Sequence, residues 1–196
     1  MDPITLVVLA VIVAAAFGVI GIYNGLVRLK NKVDEGWADI DTQLKRRYDL
    51  IPNMVETVKG YAKHEKGTFE AVTKARSAAM GAVTPEQKAQ AENMLTDTLK
   101  SLFAIAEAYP QLKADKNFLD LQSTLKEIEE HIQLSRRYYN ATVRDLNTKV
   151  EIFPNNIFAG MLGFSKREYF EIERPEEREA VKVSFAEEEK EEKKSK

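Results

Sequence analysis

The chain opens on an uncharged, mostly apolar run from Pro3 to Val27, closed at once by Arg28, Lys30 and Lys32. Within it Ile4–Tyr23 supplies about 20 residues, which at ~1.5 Å of rise each match the ~30 Å hydrocarbon core of a bilayer. Backbone polar groups find no water in lipid, so such a stretch has to be helical. The expectation is a transmembrane helix over residues 1–27 carrying a water-facing body. A cleaved secretory signal is the rival reading, with Ala14, Ala15 and Ala16 as the cleavage site. Against it, Met1-Asp2-Pro3 is not a basic leader, and the apolar residues continue past the alanines to Tyr23. Basic residues collect on the C-terminal flank, where Lys45, Arg46 and Arg47 follow the first three. By the positive-inside rule that places the body in the cytoplasm.

Beyond the anchor about 170 residues remain, the size of one domain. A formal net charge of −2 lacks the basic footprint of a nucleic-acid binder. With no cysteine, disulfides, thiolate nucleophiles and cysteine-ligated metals are excluded.

Apolar residues in the body recur at helical spacing. Leu26, Leu29, Val33, Trp37, Ile40, Leu44, Tyr48 and Ile51 make one stripe, which places Trp37 in the core. Pro52 marks a break, and a second stripe runs through Met54, Val55, Val58, Tyr61, Ala62, Phe69, Val72 and Ala79 to Gly81. Thr84-Pro85-Glu86-Gln87 reads as a capping box opening a third helix, with Leu95, Leu99, Leu102 and Ala106 inward, until Pro110. The fourth pattern, Phe118, Leu121, Leu125, Ile128, Ile132, Ser135, Tyr139, Thr142, Leu146, has heptad spacing. Short connections make neighbouring helices antiparallel. The fold class expected is all-α: the N-terminal transmembrane helix, then an antiparallel up-down-up-down four-helix bundle over 28–172. The charged stretch 173–196 has too little apolar surface to fold alone and reads as a disordered tail.

Catalytic chemistry is hard to place on this sequence. A di-iron bundle needs Glu-x-x-His pairs, but Tyr61 precedes His64 by three residues and Ile128 precedes His131. The zinc-protease helix motif, a phosphate loop and Gly-x-Ser-x-Gly are absent too, and Gly160-Met161-Leu162-Gly163 reads as a tight turn. Catalytic, metal and cofactor-binding residues are therefore expected to be none. The densest polar cluster surrounds the expected first hairpin: Arg46, Arg47, Asp49, Asn53 and Glu56, a candidate partner surface at the membrane-distal end. The plainer alternative has Arg46 or Arg47 pairing with Asp49 or Glu56 to fix the turn. A second candidate comes from helix lengths. A first helix leaving the membrane at Arg28 and turning at Pro52 has about 24 residues, ~36 Å, whereas the fourth has about 35, ~52 Å. The excess could bring Ile157, Phe158, Met161, Leu162 and Phe164 to the headgroups as a membrane interface, followed by Lys166 and Arg167. Alternatively these residues cap the bottom of the core.

Several motifs carry a family resemblance: Tyr23-Asn24-Gly25-Leu26-Val27, Val33-Asp34-Glu35-Gly36-Trp37-Ala38-Asp39-Ile40-Asp41, Leu44-Lys45-Arg46-Arg47-Tyr48-Asp49-Leu50-Ile51-Pro52-Asn53, Ala108-Tyr109-Pro110-Gln111-Leu112-Lys113 and Arg136-Arg137-Tyr138-Tyr139-Asn140. In that order, over roughly residues 20–170, the chain resembles the bacterial LemA family. The resemblance implies an antiparallel four-helix bundle behind an N-terminal membrane segment, and it supplies no catalytic residue. Some relatives look like lipoproteins with a cysteine just before Tyr-Asn, where this chain has Gly21-Ile22. That departure favours a spanning helix, while the lipoprotein relatives offer an extracytoplasmic body as the alternative. The expected function is a noncatalytic, single-pass cell-membrane protein, held by lipid contact through its N-terminal helix, that binds a protein partner such as another membrane protein. The alternative is a lipid-surface or envelope-stress component whose membrane-proximal end contacts headgroups.

Overall fold

A computed structural model describes residues 2–171. All regular structure among them is helical: α1 (Pro3–Tyr61), α2 (Lys66–Gly81), α3 (Pro85–Ala108), α4 (Pro110–Lys113), α5 (Lys116–Glu151) and α6 (Asn155–Ala159). The expected tail, 173–196, lies outside the described residues.

The first departure from the sequence reading is at Pro52, which sits inside α1 rather than ending it. A proline has no N–H for the carbonyl four residues back, here that of Tyr48, and an unmatched carbonyl normally bends or breaks a helix. Here Arg76 of α2 donates from Nε to the Tyr48 carbonyl at 2.6 Å, replacing the lost bond from outside the helix. Ile51, Met54, Val55 and Val58 therefore stay in register and buried. The chain turns instead at residues 62–65, so the expected second helix is divided between the end of α1 and α2.

This moves the hairpin and removes the length mismatch. From Leu26 to Tyr61 α1 offers about 36 residues, or ~54 Å, beside the 36 residues of α5. The two helices run antiparallel: Tyr61 Oη donates to Asp115, Arg47 pairs with Glu129, Gly36 abuts Tyr139, and Gly25 lies beside Lys149. The helices approach closely at Gly36, where a Cβ would lie 3.2 Å from the Tyr139 Cα. Helices α2 and α3 pack together and against the upper part of α1. The capping box opens α3 as expected, with Thr84 Oγ1 accepting from the Gln87 N–H at 3.2 Å.

Below that hairpin the chain's own C-terminal part completes the packing. Asn155 donates to the Lys149 carbonyl at 3.0 Å, satisfying one of the orphan carbonyls at the end of α5. After α6 and a turn at Gly163, whose φ of 76° suits glycine, residues 165–171 run back up α5 as a strap. Asn147 brackets Arg167, accepting from its N–H at 2.8 Å and donating to its carbonyl at 3.0 Å. Asn140 does the same for Phe170, at 2.9 and 3.1 Å. The spacing explains the fit. The two asparagines stand ~10.5 Å apart along a helix, and the two strap residues ~10 Å apart along extended chain. Phe170 is thereby driven to full burial, 5.6 Å from the Trp37 ring. Trp37 itself is only partly buried, packed between Tyr139 and Phe170 at the edge of the core.

Candidate functional site

The candidate partner surface is divided by the structure. Arg46, Asp49, Asn53 and Glu56 are exposed, at spacings of three and four that align them on one outer stripe of α1. They do not sit at the tip, because α1 continues; they lie ~8–22 Å below Tyr61 along the shaft. Arg47 leaves this surface altogether, being 2% exposed and directed into the core. The expected pairings within the cluster are also replaced. Arg46 donates to Gln43 at 3.1 Å, and Glu56 pairs with Lys59 at 2.6 Å. Lys59 in turn borders a surface groove of about 410 Å³ between α1 and α2, lined also by Lys66, Phe69, Thr73 and Lys74.

Arg47 instead organises a buried polar cluster that the sequence reading missed. Its Nη1 lies 2.8 Å from Glu92 Oε2, its Nη2 donates to Thr96 at 2.9 Å, and its Nε is 2.9 Å from Glu129 Oε1. The other Glu92 oxygen accepts a short hydrogen bond from Tyr48 Oη. Burial raises the Glu92 carboxyl above the usual carboxylate range, opposed by the Arg47 charge and the Tyr48 hydrogen bond. Burial also pushes the Tyr48 hydroxyl up, with the Glu92 charge adding to it. Nearby, Lys88 pairs with Asp41 at 2.7 Å and lies 6.0 Å over the Trp37 ring. A signal for this cluster was present. Arg47 falls between Leu44 and Ile51 on the α1 stripe, and Glu92 three residues before Leu95 on the α3 stripe. A charged residue in register with apolar ones on each of two helices points to an inward-facing pair. With both Glu92 oxygens occupied, the cluster fastens α3 to α1.

At the opposite end, the candidate membrane-interface residues separate into two sets. Phe158, Leu162 and Phe164 are half-buried, Phe164 meeting Tyr23 edge-on at 5.9 Å between ring centroids. Ile157 and Met161 point outward, at 54% and 83% exposure. Phe153 and Ile152, just before α6, are exposed as well. Phe164 packs against the core beside the buried Ala159 of α6, whereas Ile157 and Met161 face away from it.

The residues around Tyr23 belong to α1, whose first part is long and apolar enough to cross a membrane and has none of that apolar window buried in the body. Both histidines, His64 and His131, are exposed, and among the described residues no group of three or more His, Cys, Asp or Glu is placed to hold a metal ion.

Fold and surfaces define an all-helical protein built on one long helix whose N-terminal part is free and apolar. A family model for the LemA family matches residues 36–185, and the chain belongs to that family. Protein LemA of Metamycoplasma hominis is 27% identical over 147 residues, covering 74% of this chain and 67% of that protein. Magnetosome protein MamQ 2 of Paramagnetospirillum magneticum is 23% identical over 175 residues, covering 76% of this chain and 64% of the relative. Magnetosome protein MamQ of Magnetospirillum gryphiswaldense is 22% identical over 174 residues, with the same 76% and 64% coverage. The chain thus spans about two thirds of the length of the curated relatives it matches.

Proposed function

We propose that this LemA-family chain is a single-pass cell-membrane protein that holds a noncatalytic four-helix body at a fixed height and orientation above the bilayer, as a scaffold for a protein partner. One observation carries the reading: α1 is unbroken from Pro3 to Tyr61, so the apolar segment and the shaft of the body are one rod. A flexible linker would let the body rotate freely; a continuous helix fixes which face looks along the membrane. Arg76 supports this rigidity by mending the helix at Pro52, and Arg47 by tying α1 to α3 and α5.

The partner, another membrane protein in this reading, meets the exposed stripe Arg46, Asp49, Asn53 and Glu56. The basic flank of Arg28, Lys30 and Lys32 supports a cytoplasmic body. The test uses the full-length chain in native membranes, with a photo-crosslinking side chain at Asp49 or Asn53 and, as control, at exposed Gln133. A discrete protein adduct from the stripe positions, lost when Asp49→Lys is combined with a crosslinker at Asn53, is the expected outcome. Equal labelling from the stripe and from Gln133 would rule out a specific partner there. Release of the chain from membranes by alkaline carbonate would rule out the spanning helix.

A further inference from the structure

We propose that residues 152–164 form a second membrane contact, a foot that seats the base of the body in the headgroup layer beside the point where α1 leaves the bilayer. The inference rests on α1 being the membrane anchor and adds a lipid-binding site to it.

Three observations converge on this segment. The first is its height. Lys149, near the end of α5, lies beside Gly25, and Phe164, after α6, touches Tyr23. Both ends of the segment are therefore level with the last residues of the apolar run, and α6 between them contacts α1 as well as α5. Tyr23, 45% exposed, has the amphipathic ring that favours a membrane–water boundary.

The second is what the segment exposes. Soluble folds rarely leave several large apolar side chains uncovered in one short stretch. Here Phe153 is 78% exposed, Ile157 54% and Met161 83%, although Ala159 of the same segment is buried in the core and Phe164 packs against it. An inward and an outward apolar set on one short element means that two apolar environments flank it. The core is one. The outward side lies at the same end of the body as the uncovered apolar run of α1, so the environment that suits it is lipid.

The third is charge. Arg28, Lys32 and Lys149 form no ion pair among the described residues, whereas Lys30, Lys166 and Arg167 at the same end are matched by Asp34, Glu151 and Asp34 respectively. Arg28 lies ~7.5 Å beyond Tyr23 along α1. Unmatched cations just above an apolar foot suit anionic phosphate headgroups, the combination by which amphipathic segments lie in an interface.

A rod with one lipid contact can tilt; a rod with a second contact beside it cannot tilt freely. The foot thus defines the direction in which the body leans, and it does so without any partner.

Because the chain has no cysteine, single-cysteine variants can be labelled cleanly. The full-length chain would be reconstituted in vesicles of phosphatidylcholine and phosphatidylglycerol, with an environment-sensitive fluorophore at Phe153→Cys, Ile157→Cys or Met161→Cys. Val13→Cys reports the anchor, and Ala114→Cys the far end of the body. Circular dichroism verifies that each variant keeps its helix content. Nitroxide attached near the lipid headgroup should quench most of the emission at the three foot positions, and aqueous iodide should quench little. If Val13→Cys is quenched by nitroxide on the acyl chains while the foot positions respond to iodide like Ala114→Cys, the foot is wrong and the anchor stands. If Val13→Cys is itself open to iodide, the anchor reading fails, and the foot fails with it.

Discussion

Replacing Arg47 with methionine should be among the most damaging single changes in the body, and the structure sets its size. Arg47 is 2% exposed and Glu92 fully buried, so removing the cation leaves a carboxylate in the core with one remaining donor, Tyr48. Breaking a buried pair from one side typically costs about 3–5 kcal/mol. Two features put this site near the low end. Glu92 already has a raised pKa and can take up a proton rather than remain charged. Glu129, the other acid on Arg47, is 36% exposed and keeps its hydration, so losing that contact contributes only ~0–1 kcal/mol. The expected loss is therefore about 3 kcal/mol. Changing Glu92 to leucine in the same chain should restore most of it, because the orphaned acid is gone. Tyr48 would then retain only its 3.4 Å contact with the Ala79 carbonyl. Urea denaturation of the full-length chain in micelles, followed by far-UV circular dichroism, reads both as midpoint shifts at constant slope. A midpoint unchanged in Arg47→Met, or a double variant no better than the single one, would refute the account of a closed, pair-dependent cluster.

Glu92→Gln should change the pH dependence of stability. Burial raises the folded-state pKa of Glu92 above its ordinary 4.5, so its favourable contribution is complete below that value and declines as pH rises through the folded pKa. The variant should lack this decline when unfolding midpoints are compared across the acidic range, and superimposable profiles would count against it. Gly36→Ala should destabilise by about 1 kcal/mol, since overpacking against the Tyr139 backbone outweighs the gain in helix propensity. Gly60→Ala, with open space around it, should stabilise by about 0.5–1 kcal/mol, so a common sign for the two would contradict the packing at Gly36. Phe170→Ala removes a fully buried ring and should cost about 3 kcal/mol. Hydrogen exchange should show the backbone N–H of Arg167 and Phe170 losing protection before α1 and α5 do, and uniform loss would mean that the strap is not a separable element.

Much of the architecture was legible in the chain because helices announce themselves locally. The apolar run to Val27, the stripe from Leu26 to Ile51, the Thr84–Gln87 box and the spacing from Phe118 to Leu146 each depend on neighbours within a few residues, and each appears in the structure as a helix. For residues 153–164 the sequence left core and membrane surface as alternatives, and it did not separate Phe164, packed on the core, from the exposed Met161. Local pattern could not settle what a distant residue supplies. Pro52 reads as a helix end until Arg76, from another helix, reaches the carbonyl it orphans. Arg47 reads as a surface cation until Glu92 arrives beside it. Asn140 and Asn147 read as ordinary polar helix positions until the strap passes, and Trp37 reads as core although the strap and α5 cover only part of it. A polar group's preferred conformation and depth depend on whether its hydrogen-bonding capacity is met, and in this fold those partners come from distant parts of the chain, positioned only by tertiary packing.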